Sequence, residues 1–267
     1  MSVPSLRRAL AVLALAAAPA LAGGVPAVAA PPAAPVALSP SGAERDGDER
    51  DARAGRPTGL PPKAALPWLR SSVESVLVAE RHRAGLTADA VPESASGTLV
   101  VVPGSAEPPR DAAAVHTVRV EVEEGLPVDG ARFADFVLGT LNDERGWGHD
   151  GSVAFARTDG SADHRVILAS GALTDRLCHP LRTLGEVSCG TAGRAVLNAE
   201  RWSDGAEPFQ EGGGTVTAYR QYLVNHEVGH LLGHPHRACP APGAVAPVMV
   251  QQTLGLGGCL PNGWPAP

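Results

Sequence analysis

Residues 226–236 of the chain read HEVGHLLGHPH, which places histidines at positions 226, 230 and 236. An α-helix advances about 100° per residue, so His226 and His230 would lie on one face of a helix, one turn apart. Two imidazoles in that arrangement can bind one tetrahedral metal ion. The spacing therefore predicts a metal-binding helix.

The glycine and the proline in this segment predict where the helix ends. Gly233 can adopt the left-handed conformation found after the last turn of a helix, and Pro235 prevents the helix from resuming. The chain can then turn back and bring His236 to the metal as a third ligand, with a fourth position open for water or substrate. His234 also lies just beyond Gly233 and is the alternative third ligand.

Glu227 lies beside the face that carries the two helical histidines. A carboxylate at that place can accept a proton from a water molecule that the metal activates, and can later pass it to a leaving amine. The short pattern His-Glu-x-x-His would arise in a shuffled chain with a probability of roughly 2%, and the full eleven-residue pattern with roughly one in ten thousand. The full pattern therefore favours a zinc-dependent hydrolase with Glu227 as general base over a solvated, histidine-rich helix end.

The pattern His-Glu-x-x-His-x-x-Gly-x-x-His, with a methionine downstream, resembles the metzincin clan of zinc endopeptidases. The resemblance implies that Zn²⁺ is the cofactor, that His236 rather than His234 is the third ligand, and that Met249 forms the turn beneath the metal. Several metzincins have a tyrosine two residues after this methionine, where it can stabilise the oxyanion. Gln251 occupies that position here, so the resemblance does not supply an oxyanion partner.

From about Gly97 onward the chain is also similar to a family of secreted actinobacterial proteins that carry a metzincin-type motif. The likeness is carried by Cys239 and by residues 246–249 (APVM), 251–253 (QQT) and 258–265 (GCLPNGWP). This family has no established substrate, so the likeness leaves the substrate open.

The amino-terminal part of the chain predicts export. Two arginines at positions 7 and 8 precede an apolar run over residues 9–18, and residues 20–22 match a signal peptidase site, so residues 1–22 are expected to be a signal peptide. The alternative is an uncleaved anchor that tethers a membrane-bound protein. Residues 23–67 have the Pro, Ala and charged composition of a disordered linker, and residues 68–96 form a lead-in without a defined pattern. A secreted or extracytoplasmic protein is expected.

The four cysteines lie within the last ninety residues, and an even number in an exported protein predicts disulfides. Of the three possible pairings we favour the sequential one, Cys178 with Cys189 and Cys239 with Cys259. The second bond would close a twenty-residue loop around Met249 and stabilise it by roughly 3 kcal/mol. A second zinc site is the alternative, but the sequence has no Cys-x-x-Cys pair.

Hydrophobic patterns predict the elements around the motif. Helices are predicted over residues 131–141 and about 216–232, and strands over residues 98–102, 117–122, 153–156, 166–169 and 195–198. This order agrees with the upper half of a metzincin catalytic domain, so the resemblance implies an α+β fold with a twisted mixed sheet. The resemblance implies a metzincin-like catalytic domain over residues 97–267, in which a zinc-binding active-site helix precedes a small C-terminal subdomain held by a disulfide.

Charge and the remaining motifs narrow the function. The net charge is −6 and no basic cluster is present, which argues against a nucleic-acid partner. The sequence has no Gly-x-Ser-x-Gly pattern and no nucleotide-binding glycine loop. We expect a monomeric, secreted zinc endopeptidase that acts on a peptide or protein substrate. The alternatives are a zinc-stabilised cell-envelope binding module without efficient catalysis and a zinc amidase that acts on cell-wall peptides.

Overall fold

The computed structural model of the protein describes residues 66–267. The predicted signal peptide (1–22) and all but the end of the predicted linker (23–67) lie outside these residues. The described helices are α1 (Leu66–Arg83), α2 (Gly130–Leu141), α3 (Gly171–Cys178), α4 (Ala199–Asp204), α5 (Glu207–Glu211) and α6 (Val216–Leu231). The strands are β1 (Leu99–Val101), β2 (Ala114–Glu123), β3 (Val153–Arg157), β4 (His164–Ala169), β5 (Cys189–Thr191) and β6 (Arg194–Asn198).

The six strands form one mixed sheet in the order β1-β2-β4-β6-β5, with β3 paired to β2. Strands β2, β4 and β6 are parallel neighbours, and β3 is parallel to β2. Strands β1 and β5 are antiparallel to their neighbours. The structure therefore confirms the predicted α+β class and the mixed sheet, and β5 forms one edge of that sheet.

The sheet is covered on both faces because side chains along a strand alternate between them. In β4, Val166 and Leu168 join the larger core cluster, which also includes buried residues of α2 and α6. Ile167 and Ala169 join a smaller cluster with Leu173 of α3. The helix that carries the histidine motif thus lies on the face opposite α3.

The predicted strands and the two predicted helices are all present, with ends shifted by a few residues at most. The sequence did not predict β5 or the helices α1, α3, α4 and α5. These helices, apart from α1, are eight residues or shorter, too short for a helical period to stand out. Within the predicted lead-in at 68–96, α1 forms, and Ala84 and Leu86 are buried in the larger core, ahead of the predicted domain start at residue 97.

Both disulfides of the sequential pairing are present, Cys178–Cys189 and Cys239–Cys259, which confirms that prediction. Since the chain has four cysteines, none remains free. Such use of cysteine is typical of extracytoplasmic proteins. Among residues 66–267, no helix combines the length and the apolar character that crossing a bilayer requires.

Candidate metal centre

Helix α6 brings the histidine motif from the core to the surface of the molecule. The Thr215 hydroxyl accepts a hydrogen bond from the Ala218 amide (3.1 Å) and so caps the start of the helix. Val224 and Val228 are fully buried in the core, on the side opposite His226 and His230. Burial of this apolar side fixes the direction in which the two histidines point.

The helix ends where the sequence predicted. Helix α6 stops at Leu231, and Gly233 follows with φ of 90°, in the left-handed region that favours glycine. The amide of His234 donates to the carbonyl of Gly229 (2.9 Å), and the amide of Arg237 donates to the carbonyl of Met249 (2.9 Å). These bonds turn the chain back across the helix end.

The returning chain brings His236 to the two helical histidines. One ring nitrogen from each of His226, His230 and His236 lies within 4.8 Å of the others, and the Nε2 atoms of His230 and His236 are 3.1 Å apart. His226 is buried, His230 is half-buried and His236 is exposed. The group therefore lies at the surface end of α6, where it is open on one side.

Backbone carbonyls orient two of these rings. Nδ1 of His226 lies 2.9 Å from the carbonyl of Val248, and Nδ1 of His230 lies 3.0 Å from the carbonyl of His234. A carbonyl can only accept, so each Nδ1 carries the proton and each Nε2 keeps a free lone pair. In metal-binding histidines, such a hydrogen bond from the ring nitrogen that does not bind the metal usually fixes the orientation of the ring.

The charge state of the rings also suits metal binding. Burial lowers the pKa of His226 to about 3. Burial likewise lowers the pKa of His230, with a contribution from neighbouring His236, and it lowers the pKa of His236 itself. Neutral imidazole is the form that binds a metal. Converging nitrogens and neutral rings together form a site that could hold a metal ion.

Gly229 allows two other side chains to approach the helix from below. A Cβ atom at this position would lie 2.6 Å from Cζ2 of Trp147 and 2.7 Å from Sδ of Met249, closer than real contacts allow. Only glycine therefore fits between them. Met249 is buried, and its neighbour Val248 supplies the carbonyl that orients His226.

His234, the alternative third ligand, is not part of the group of three. Its ring stacks on Trp147 with 4.1 Å between centroids and 13° between planes. The Trp147 indole in turn donates to the carbonyl of Asn225 on α6 (3.0 Å). Sequence analysis missed Trp147, because a tryptophan in a glycine-rich loop, 87 positions before His234, belongs to no periodic pattern. Nδ1 of His149, in the same loop, lies 3.2 Å from the carbonyl oxygen of Gly146.

Glu227 lies beside the three histidines and is 5% exposed. Burial raises the pKa of its carboxyl to about 8. The carboxyl and the three histidines line one open cleft of about 310 Å³. The other lining residues are Leu181, Arg182, Thr183, Val187, Ser188, Cys189, Gly190, Tyr222, Gln251, Thr253 and Leu254.

Tyr222 supports the site from within the core. It is 1% exposed, and its hydroxyl donates to the carbonyl of Val250 (3.2 Å) and accepts from the amide of Gln252 (3.0 Å). Its ring lies against His226, with 5.1 Å between centroids. Gln251, by contrast, is exposed and lines the cleft.

Comparison with known proteins identifies a family whose description names no function. Residues 86–259, more than half of the chain, match the family described as "Protein of unknown function (DUF3152)". No curated protein and no solved structure matches the chain. Any function must therefore be argued from the chemistry of the site.

Proposed function

The chain belongs to the DUF3152 family, whose description assigns no activity, and we propose that it is an exported zinc-dependent endopeptidase of the metzincin type. The observation that supports this most is that His226, His230 and His236 converge beside Glu227 in one open cleft. Met249 packs against Gly229 of the helix, which supports the proposal because the resemblance to metzincins implies a methionine beneath the metal.

Zinc is the metal that these ligands fit best. His226, His230 and His236 offer three neutral nitrogen ligands and leave one side open, whereas calcium and magnesium prefer oxygen ligands. When bound, zinc would polarise the scissile carbonyl and lower the pKa of water at the site.

Glu227 is the group that moves the proton. Among the described residues it is the only acidic one that lines the cleft, and it adjoins the proposed ligand His226 in the chain. A bound zinc ion would favour the ionised form of this carboxyl. As general base it then accepts a proton from the attacking water, and as general acid it returns that proton to the leaving amine. The proton thus stays on one carboxyl between the two steps.

The edge strand β5 gives the peptide a place to bind. Gly190 of β5 lines the cleft, and a Cβ atom there would lie 2.3 Å from the carbonyl oxygen of Glu227 and 2.8 Å from Cβ of His230. This close packing places the edge of the sheet directly beside the histidines. A peptide that adds to β5 as a further strand would pass the metal in an extended conformation.

The exposed amide of Gln251 bears on how well such an enzyme turns over. Its NH₂ group can donate a hydrogen bond to a developing oxyanion. It lines the cleft in place of the tyrosine found in several metzincins. The absence of that tyrosine favours a second candidate, a zinc-stabilised binding module of the cell envelope without efficient catalysis. A zinc amidase acting on cell-wall peptides would use the same residues as the endopeptidase.

Glu227→Gln tests the proposal. The amide keeps the size of the side chain but cannot accept a proton, so hydrolysis is expected to fall by about 10²-fold or more while zinc stays bound. Wild type and variant are compared on denatured protein and on peptidoglycan peptides, with a chelator as control. Equal, chelator-sensitive turnover in both proteins would contradict the role of Glu227. No turnover by wild type on either substrate would favour the binding module.

A further inference from the structure

One wall of the cleft is a loop that a disulfide closes. Cys178 ends helix α3, Cys189 begins strand β5, and the bond between them spans eleven positions. The loop between the two cysteines supplies much of the cleft lining, namely Leu181, Arg182, Thr183, Val187 and Ser188. Because β5 continues directly from the loop, the loop is fixed at the edge of the metal centre.

Hydrogen bonds hold the middle of this loop in place. Thr183 is 3% exposed and its hydroxyl donates to the carboxylate of Asp175 on α3. The amide of Gly185 donates to the same carboxylate oxygen (2.8 Å), and the side-chain amide of Asn198 donates to the carbonyl of Gly185 (2.7 Å). With Thr183 pointing inward, its neighbours Arg182 and Leu184 are held at the surface.

Arg182 is the only arginine or lysine among the described residues that line the cleft, and Glu227 is the only acidic residue among them. Within residues 66–267, no carboxylate lies within ion-pair distance of Arg182, and its side chain is exposed. An unpaired guanidinium has five donors free to bind a carboxylate of a ligand.

Exposed apolar side chains line the same cleft as Arg182. Leu181 of the loop is 52% exposed, and Leu254 of the C-terminal tail is 65% exposed. Val187 adds a third aliphatic surface. These side chains can bury the aliphatic part of a peptide side chain while Arg182 binds its charged end.

We propose that the loop closed by Cys178 and Cys189 is a substrate-recognition loop, in which Arg182 selects peptides with a carboxylate close to the scissile bond. The inference rests on the proposed function for the meaning of "scissile", but the recognition step can be measured without hydrolysis. The carboxylate is that of an Asp or Glu side chain or that of the peptide C-terminus, which share the chemistry that Arg182 recognises.

Binding of matched peptides tests the inference. The full chain carrying Glu227→Gln, which is expected to leave peptides intact, is loaded with zinc and titrated into fluorescein-labelled hexapeptides that have either Glu or Gln at each position in turn. A second pair differs only in a C-terminal acid or amide. One carboxylate peptide is expected to bind about fivefold tighter than its neutral match, as for a partly exposed ion pair of about 1 kcal/mol. The pair that shows the difference identifies the source of the carboxylate.

Arg182 variants and a matched control assign the preference. In the same background, Arg182→Ala should abolish the fivefold difference, and Arg182→Lys should retain part of it. Arg132→Ala removes another exposed positive charge, on α2 and outside the cleft, and should leave the difference unchanged. Equal affinity of the Glu227→Gln protein for all matched pairs, or an undiminished difference in Arg182→Ala, would overturn the inference.

The outcomes separate this inference from the proposed function. If the carboxylate preference depends on Arg182 but wild type cleaves none of these peptides, recognition stands and the endopeptidase proposal fails. If wild type cleaves peptides in a zinc-dependent way but the matched pairs bind equally, the endopeptidase proposal stands and the role of Arg182 fails.

Discussion

The sheet with its helices and the tail after α6 meet at the metal centre, but they are stabilised in different ways. In the sheet region, strands pair in register and side chains such as Val120, Val166 and Val196 are fully buried. The tail, residues 232–267, contains no helix or strand beyond an isolated bridge between Val245 and Leu260. Its backbone is held by the Cys239–Cys259 bond and by buried amide side chains.

Two amides show how the tail replaces a regular hydrogen-bond pattern. Gln252 is fully buried; its side chain donates to the carbonyl of Asn262 (2.7 Å) and accepts from the amide of Asn262 (2.9 Å). The Asn262 side chain then donates to the carbonyls of Ala246 (2.9 Å) and Trp264 (2.7 Å). Polar side chains thus satisfy backbone groups that a sheet would otherwise pair.

The metal centre therefore combines residues from the packed sheet region with residues from a tail that a disulfide and buried amide side chains hold in place. The sheet region supplies His226, Glu227 and His230, whereas the tail supplies His236 and Met249. Damage to the sheet region should unfold the whole protein. Damage to the tail should weaken metal binding before it unfolds the sheet.

The largest expected effect is that of Trp202→Ala in the sheet region. Trp202 is fully buried, its ring meets Phe133 and Phe136 edge-on (5.0 and 5.1 Å), and its indole donates to the carbonyl of Ala84 (3.0 Å). Removing the ring leaves a cavity, so the free energy of unfolding should fall by about 3–5 kcal/mol in denaturant titrations.

Trp264→Ala is the matched change in the tail. The Trp264 ring is buried under the guanidinium of Arg145 (3.9 Å), not among core aromatic rings. Its loss should lower global stability less than the loss of Trp202. A Trp264→Ala protein as unstable as Trp202→Ala would show that the two regions do not differ as described.

Opening the tail disulfide is expected to have the next largest effect. Cys239→Ala combined with Cys259→Ala opens a loop of twenty positions, which should lower the free energy of unfolding by about 2–5 kcal/mol. The double variant should also bind zinc at least tenfold more weakly. Competition with a chelating dye measures the affinity, and circular dichroism shows whether the sheet remains. The Cys178→Ala, Cys189→Ala pair should weaken zinc binding less, because its loop carries no ligand. Unchanged zinc affinity in the tail variant would contradict the view that the Cys239–Cys259 bond holds His236 in place.

The smallest expected effect concerns pH and the sheet. Glu121 on β2 accepts from Nε of Arg119 (2.7 Å) and Nε of Arg165 (2.8 Å). Burial alone would raise the pKa of Glu121, but hydrogen bonds from Arg165 and Arg119 lower it below its ordinary value of 4.5. A lowered pKa in the folded state stabilises the fold above that ordinary value, and the stabilisation disappears as pH falls through the lowered pKa.

Glu121→Gln removes this contribution. The variant should be less stable than wild type by about 1 kcal/mol from pH 8 to 5, and the difference should shrink below pH 4.5. Denaturant unfolding at several pH values measures it. A difference that stays constant, or grows on acidification, would contradict the assigned ion pair.

Local sequence patterns predicted much of the fold. Alternation in residues 117–122 predicted part of β2, Gly233 predicted the end of α6, and the cysteine spacing around Met249 predicted the Cys239–Cys259 bond. Strand β5 was missed because it has three residues, one of them Gly190, whose value lies in its close contact with α6. The stack of Trp147 on His234 was missed because it joins residues that only the folded chain brings together.

Metal analysis tests most directly whether His226, His230 and His236 form one zinc site. The full chain is purified without a histidine tag, and its metal content and zinc affinity are measured. One zinc ion per chain is expected, with binding retained in Glu227→Gln and in the control His149→Ala, and greatly weakened in His236→Ala. Wild type without stoichiometric zinc, or His236→Ala that binds zinc undiminished, would contradict the account.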